Sequence, residues 1–94
     1  MRQGALELDI VARRGPLVVV VEVRSRASGG YESALASVSV AKRRRLLHAT
    51  DRLWRRHLMG DASVERVRID VAAVRFEAGV TVVEYVEGAV VGGD

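Results

Sequence analysis

At 94 residues, 49% of them hydrophobic, the chain suffices for one small packed domain and is neither disordered nor fibrous in composition. It contains no cysteine, which excludes disulfides and thiolate metal sites and fits a reducing cytoplasm. A net charge of +3 permits a phosphate-rich partner without demanding one, and 4% aromatic residues argue against a base-stacking platform for single strands.

Taken in order, Met1 to Gly4 is short and polar. Leu6 to Arg24, LELDIVARRGPLVVVVEVR, reads as two strands joined by a turn at Arg14-Gly15-Pro16. Side chains alternate faces along a strand. Glu7, Asp9 and Val11 therefore share one face of the first strand; Leu6, Leu8, Ile10 and Ala12 share the other. In the second strand Val18, Val20, Glu22 and Arg24 oppose Leu17, Val19, Val21 and Val23. That strand is apolar on both faces until its far end, the pattern of a buried central strand. Up to three carboxylates and one cation can converge there. Desolvating a charge costs several kcal/mol unless it is paired. Two readings fit: an ion pair closing a greasy strand, or a hard-oxygen site for a divalent metal with a cationic assistant.

Ser25 to Gly30, SRASGG, reads as a flexible linker. From about Ser33 to Met59 the period turns helical, with Leu35, Val38, Leu46, Ala49 and Leu53 on one stripe facing the sheet. Lys42 falls within this stripe, so it either snorkels out at the sheet edge or reaches a carboxylate. A second stripe, Val40, Leu47, Trp54 and Leu58, lies to one side and is either a partly exposed side face or, the expectation here, a two-fold homodimer contact. Gly60-Asp61 ends the helix. Arg45, Arg52 and Arg56 cluster on one flank, where a nucleic-acid backbone could run.

Val64 to Val74 reads as a third strand, with Val67, Ile69, Val71 and Ala73 buried and Arg66, Arg68, Asp70, Ala72 and Val74 on the other face. A turn at Ala78-Gly79 leads to a fourth strand, Val80 to Val86, and the tail from Val90 reads as frayed. His48 and His57 are not spaced i, i+4, so they make no helical metal pair and read as solvent-facing or half-buried. No phosphate-binding glycine loop, dinucleotide fingerprint or nucleophile elbow occurs. The longest apolar run, Leu17 to Val21, is too short to cross a membrane, and no secretory signal precedes the first strand.

Several segments together resemble the YraN-like family, predicted endonucleases of the PD-(D/E)xK, or restriction-endonuclease-like, superfamily. The family's GEIDLIAR-like segment is matched by LELDIVAR, Leu6 to Arg13, and its VEVKxR-like strand by VVEVRSR, Val20 to Arg26. Glu22 follows Asp9 by 13 residues, which fits the family spacing. Its K-x-R-R-L helix pattern is matched by Lys42, Arg44, Arg45 and Leu46, its RFDVVAV-like strand by RIDVAAV, Arg68 to Val74, and its closing strand by EYVEGA.

The resemblance implies that Asp9 and Glu22 hold Mg²⁺ or Mn²⁺, completed by the Val23 carbonyl and supported by Glu7. Arg24 and Lys42 would meet the phosphate charge, and Arg26, Arg45, Arg52 and Arg56 would contact DNA. Two departures stand out. The family's catalytic lysine position is Arg24 here, and an arginine guanidinium does not serve as a base. The family's N-terminal helix and strand are not matched. The expectation is a single restriction-endonuclease-like α/β domain over residues 1–94. It has a mixed sheet, element order β-β-α-β-β and one long packing helix. Its expected function is that of a cytoplasmic metal-dependent endonuclease; the alternative is a catalytically inactive nucleic-acid-binding or structural module.

Overall fold

A computed structural model describes residues 8–26 and 38–90. Four strands, β1 (Ile10–Arg14), β2 (Leu17–Arg26), β3 (Arg66–Glu77) and β4 (Val80–Val90), form one sheet in the order β1-β2-β3-β4. A single α-helix, α1 (Val40–Leu53), lies between β2 and β3 in the chain. β1 and β2 are antiparallel, β2 and β3 parallel, and β3 and β4 antiparallel, so the sheet is mixed. The parallel pair requires a crossover, and α1 supplies it.

The β1–β2 hairpin closes through Gly15 and Pro16. Gly15 has φ +58°, a conformation glycine adopts without strain. The Pro16 carbonyl accepts the Glu65 N–H at 2.8 Å, which ties the entry of β3 to the hairpin tip. Arg13 adds a second tie: it donates to Ser63 Oγ and lies 3.5 Å from Asp61.

The core lies between the sheet and α1. Val20, Ile69, Val71 and Ala73 from β2 and β3 pack with Val38, Leu46 and Val90, all buried. Leu47 and Leu53 complete the helix side. Each buried Val, Leu or Ile among them contributes about 1.5–3 kcal/mol by leaving water. The opposite face of the sheet carries a smaller cluster of Val19, Val21 and Ala72. β2 is apolar on both faces because both are covered, as its sequence indicates.

Several boundaries differ from the sequence reading. The first strand begins only at Ile10, with Asp9 in a bend before it. Ser25 and Arg26 extend β2 rather than open a linker; the rest of that linker lies outside the described residues. α1 starts at Val40 because Ser39 caps it, its hydroxyl accepting the Lys42 N–H at 3.2 Å. Val38 is buried as expected, but it precedes the cap; Leu35 is outside the described residues. After Leu53 the helix widens into a π-helical segment, Trp54–Leu58, closed by the Met59 N–H on the Trp54 carbonyl at 2.7 Å.

The second apolar stripe shrinks. Leu47 packs on the core and Trp54 and Leu58 are half-buried, whereas Val40 is 62% exposed. β3 and β4 run further than expected, to Glu77 and Val90, and Val90 is buried against Ile69 rather than frayed. Their turn has φ +50° at Ala78 and +77° at Gly79, the sign at both positions that a tight primed hairpin turn needs.

Candidate metal centre

β2 carries Glu22 toward α1 on the same face as Val20. The β1–β2 ladder ends at the pair Ile10–Val21, and one further step sets Asp9 opposite Glu22. Asp9 does not continue the ladder. Its Oδ2 accepts the Val23 N–H at 2.9 Å, taking the donor that a longer β1 would have used. A strand residue presents its N–H and C=O to the same edge. The Val23 carbonyl therefore faces the Asp9 side too, past the last backbone pair.

Lys42 arrives from the first turn of α1, its Nζ 3.3 Å from Glu22 Oε2. The sequence left two destinations open for this lysine; it reaches the carboxylate. Arg24, two residues along β2, places Nη1 3.8 Å from the same oxygen. The Arg24 Nε is shielded from water and has no hydrogen-bond partner. Among described residues, none donates a hydrogen bond to Asp9 Oδ1 or Glu22 Oε1. The arrangement thus holds two carboxylates, each anchored through one oxygen, beside two cations.

Glu22 is only 6% exposed. Burial pushes its carboxyl above the ordinary glutamate value and the neighbouring Asp9 charge adds to this, while Lys42 and Arg24 pull the other way. Burial and the second acid together outweigh the local cations. A divalent cation between the acids would relieve their repulsion, and oxygen donors are the set Mg²⁺ and Mn²⁺ take. The residues present fit such an ion. Among the described residues no cluster of three or more His, Cys, Asp or Glu occurs, so beyond Asp9 and Glu22 the ligands those residues offer are backbone oxygens.

These groups open into a cleft of about 680 Å³, lined by Asp9, Glu22 and Lys42 and by Arg44, Arg45 and His48 of α1. Arg45 is exposed on the cleft wall. Arg52 is half-buried, with its Nε shielded and unpartnered, and Arg56 is exposed in the π-helical segment. Glu7 and the Arg26 side chain lie outside the described residues. His48, read as solvent-facing or half-buried, is exposed and also borders the cleft.

A second polar constellation escaped the sequence reading. Asp70, placed on the outer face with Arg66 and Arg68, is fully buried. Its carboxylate accepts Arg68 Nε at 2.9 Å and Nη2 at 3.0 Å, the Tyr85 hydroxyl, and the Gly88 N–H at 2.8 Å. Those donors outweigh burial and hold its carboxyl below the usual carboxylate range. Gly88, at φ +60°, sits where β4 bulges: Val71 pairs Val86 but Ile69 pairs Val90. With every donor engaged, this cluster holds the bulge rather than offering a binding site.

The chain matches the model of the uncharacterised protein family UPF0102 over residues 1–74. It is 44% identical over 89 residues to the UPF0102 protein sce2912 of Sorangium cellulosum, covering 94% of this chain and 62% of that protein. To the UPF0102 protein BTH_I3148 of Burkholderia thailandensis it is 50% identical over 74 residues, 78% of this chain and 47% of the relative. The UPF0102 protein YraN of Salmonella newport is 42% identical over 73 residues, 78% of this chain and 55% of that protein. The chain thus spans about half to three-fifths of the length of these relatives. With a family model covering residues 1–74, and a relative 44% identical over 94% of the chain's length, the chain belongs to the UPF0102 (YraN) family.

Proposed function

We propose that the chain is the metal-binding core of a restriction-endonuclease-like nuclease acting on DNA, with Asp9, Glu22 and the Val23 carbonyl holding Mg²⁺ or Mn²⁺. The observation that carries this reading is the meeting of Asp9 and Glu22 across the end of the hairpin, with Lys42 on the same carboxylate. Burial first, and then the second acid, hold the Glu22 carboxyl above its ordinary value despite two adjacent cations, the kind of perturbation that clusters at functional sites.

When bound, the metal would supply Lewis acidity at a phosphoryl oxygen and a more acidic water. The chain's own residues do the rest. Asp9, fixed by the Val23 N–H, sets one ligand direction. Lys42 and Arg24 are placed to meet negative charge building on the phosphate. As an arginine, Arg24 serves as a hydrogen-bond donor and not as a base.

Incubating branched, single-stranded and duplex DNA with Mg²⁺ or Mn²⁺ tests this function. Cleavage that disappears in Asp9→Ala and in Glu22→Ala is the expected result; cleavage that survives both rejects the site. The alternative, a nucleic-acid-binding module without catalysis, gains from the arginine at position 24. It predicts salt-sensitive binding without cutting, and Arg24→Lys would then restore cleavage if a decayed enzyme is the cause. Exposure of Val40 beside Leu47, Trp54 and Leu58 keeps a two-fold homodimer as a secondary feature. Only monomer in sedimentation at high micromolar concentration removes it.

A further inference from the structure

We infer that Arg44, Arg45 and His48 form a phosphate subsite on the wall of the metal cleft, so that the cleft takes an internal stretch of nucleic-acid strand rather than a free nucleotide or a strand end. The substrate class rests on the nuclease reading above; the place of the subsite rests on separate observations.

All three side chains border the same cleft as Asp9, Glu22 and Lys42. The cations nearest the acids, Lys42 and Arg24, both lie against Glu22 and serve the phosphate at the metal, so a neighbouring phosphate needs other partners. Arg44 and Arg45 form no ion pair with any described carboxylate. The one acid on α1, Asp51, is taken by Arg55 at 3.0 Å. Among the described residues, two exposed arginines therefore stand without an ion-pair partner beside a pair of acids.

Helix geometry brings the three together. Arg45 and His48 are spaced i, i+3, and Arg44 and His48 i, i+4, so their heads meet on one flank. Measured along the axis, they lie about 3–9 Å beyond Lys42. A nucleic-acid strand advances about 3.4 Å per phosphate along its helix. A phosphate held at the acids thus has a neighbour within one to three steps of this flank. Apart from His48, no aromatic ring borders the cleft among the described residues, so the subsite reads backbone charge and not base identity.

The test is fluorescence anisotropy of an end-labelled 12-nucleotide strand and its duplex, titrated in EDTA across a salt series, so that neither metal nor cleavage contributes. The double variant Arg44→Ala/Arg45→Ala should flatten the single-strand salt slope by about 0.7 for each phosphate it leaves unneutralised. The variant His48→Arg, which adds a permanent cation at an exposed position, should steepen it by about the same amount. Arg66→Ala, on the far end and opposite face of β3, should change nothing. Unlabelled mononucleotide should compete no better than salt.

A double variant with wild-type slope and affinity overturns the subsite, as does a wild type that binds neither strand at 50 mM salt. The metal reading fails independently, if Mn²⁺ binding proves indifferent to Asp9 and Glu22. A flattened slope in that case would leave the subsite standing alone. The His48→Arg arm guards against misfolding of the double variant, because a gain of slope cannot come from unfolding.

Discussion

Asp70→Ala should destabilise the fold by about 3 kcal/mol, and the figure follows from what the carboxylate touches. Breaking a buried charge pair by removing one member costs about 3–5 kcal/mol, because the other member is left uncompensated. Arg68 is 28% exposed and Tyr85 48% exposed, so both can turn to water once Asp70 is gone, which places the cost at the low end. The Gly88 N–H cannot turn, since it belongs to the β4 bulge and loses a charge-assisted bond. Asp70→Asn keeps the shape and that one acceptor, and should cost about half as much. Urea denaturation followed through Trp54, the only tryptophan, measures both. In a domain of this size 3 kcal/mol lowers Tm by about 12–24 °C. The Asp70 pKa is depressed in the fold, so its contribution is present above the unfolded aspartate pKa. It is lost as pH falls through the folded value. A loss below about 1 kcal/mol for Asp70→Ala would refute the view that this cluster holds the bulge.

Three further outcomes follow from the same geometry. Glu22 is held as an unwilling anion, its pKa raised first by burial and then by Asp9, so its ionised form works against folding at neutral pH. Glu22→Gln should therefore raise stability in EDTA by about 0.5–2 kcal/mol, the usual gain when a strained functional group is relieved. A loss above about 1 kcal/mol in urea denaturation contradicts this. The same raised pKa makes metal compete with a proton: affinity should weaken as pH falls through a value above 4.5, and calorimetry in buffers of different ionisation enthalpy should detect proton release on binding near that value. Ala78 has φ +50°, a region costly for a residue with a Cβ that is not Asn or Asp. Ala78→Asn should raise thermal stability by about 0.5–1 kcal/mol, and no change in Tm would show that the turn carries no strain.

The legible parts of this molecule are those set by strict alternation. β2 is apolar on both faces and lies at the centre of the sheet, and a two-residue period set Asp9 and Glu22 on faces that meet once the hairpin closes. Lys42, alone among apolar neighbours on its stripe, signalled something polar facing the helix. Alternation puts Asp70 on one face with Arg68, where the two do meet, but it does not show that this face is closed over at Asp70. Its burial depends on a shift of pairing around Gly88, and nothing in the local pattern marks Gly88 as a bulge rather than a turn. The helix start was misread because Leu35 and Val38 continue the apolar period ahead of Ser39. Val38 does join the core, but from the approach to the cap, and periodicity alone cannot separate those two routes. β3 and β4 outran their apolar stretches because a tight turn keeps Glu77 and Val80 paired, so backbone hydrogen bonds extend the strands where side-chain burial does not.

Binding of Mn²⁺, followed by electron paramagnetic resonance in the absence of nucleic acid, probes the metal centre without requiring cleavage. One ion should bind per chain, at least about tenfold more weakly in Asp9→Asn and in Glu22→Gln, and unchanged in Asp61→Asn, whose carboxylate is engaged by Ser63 and Arg13. Equal affinity in all four proteins, or no binding at millimolar Mn²⁺, would contradict the account.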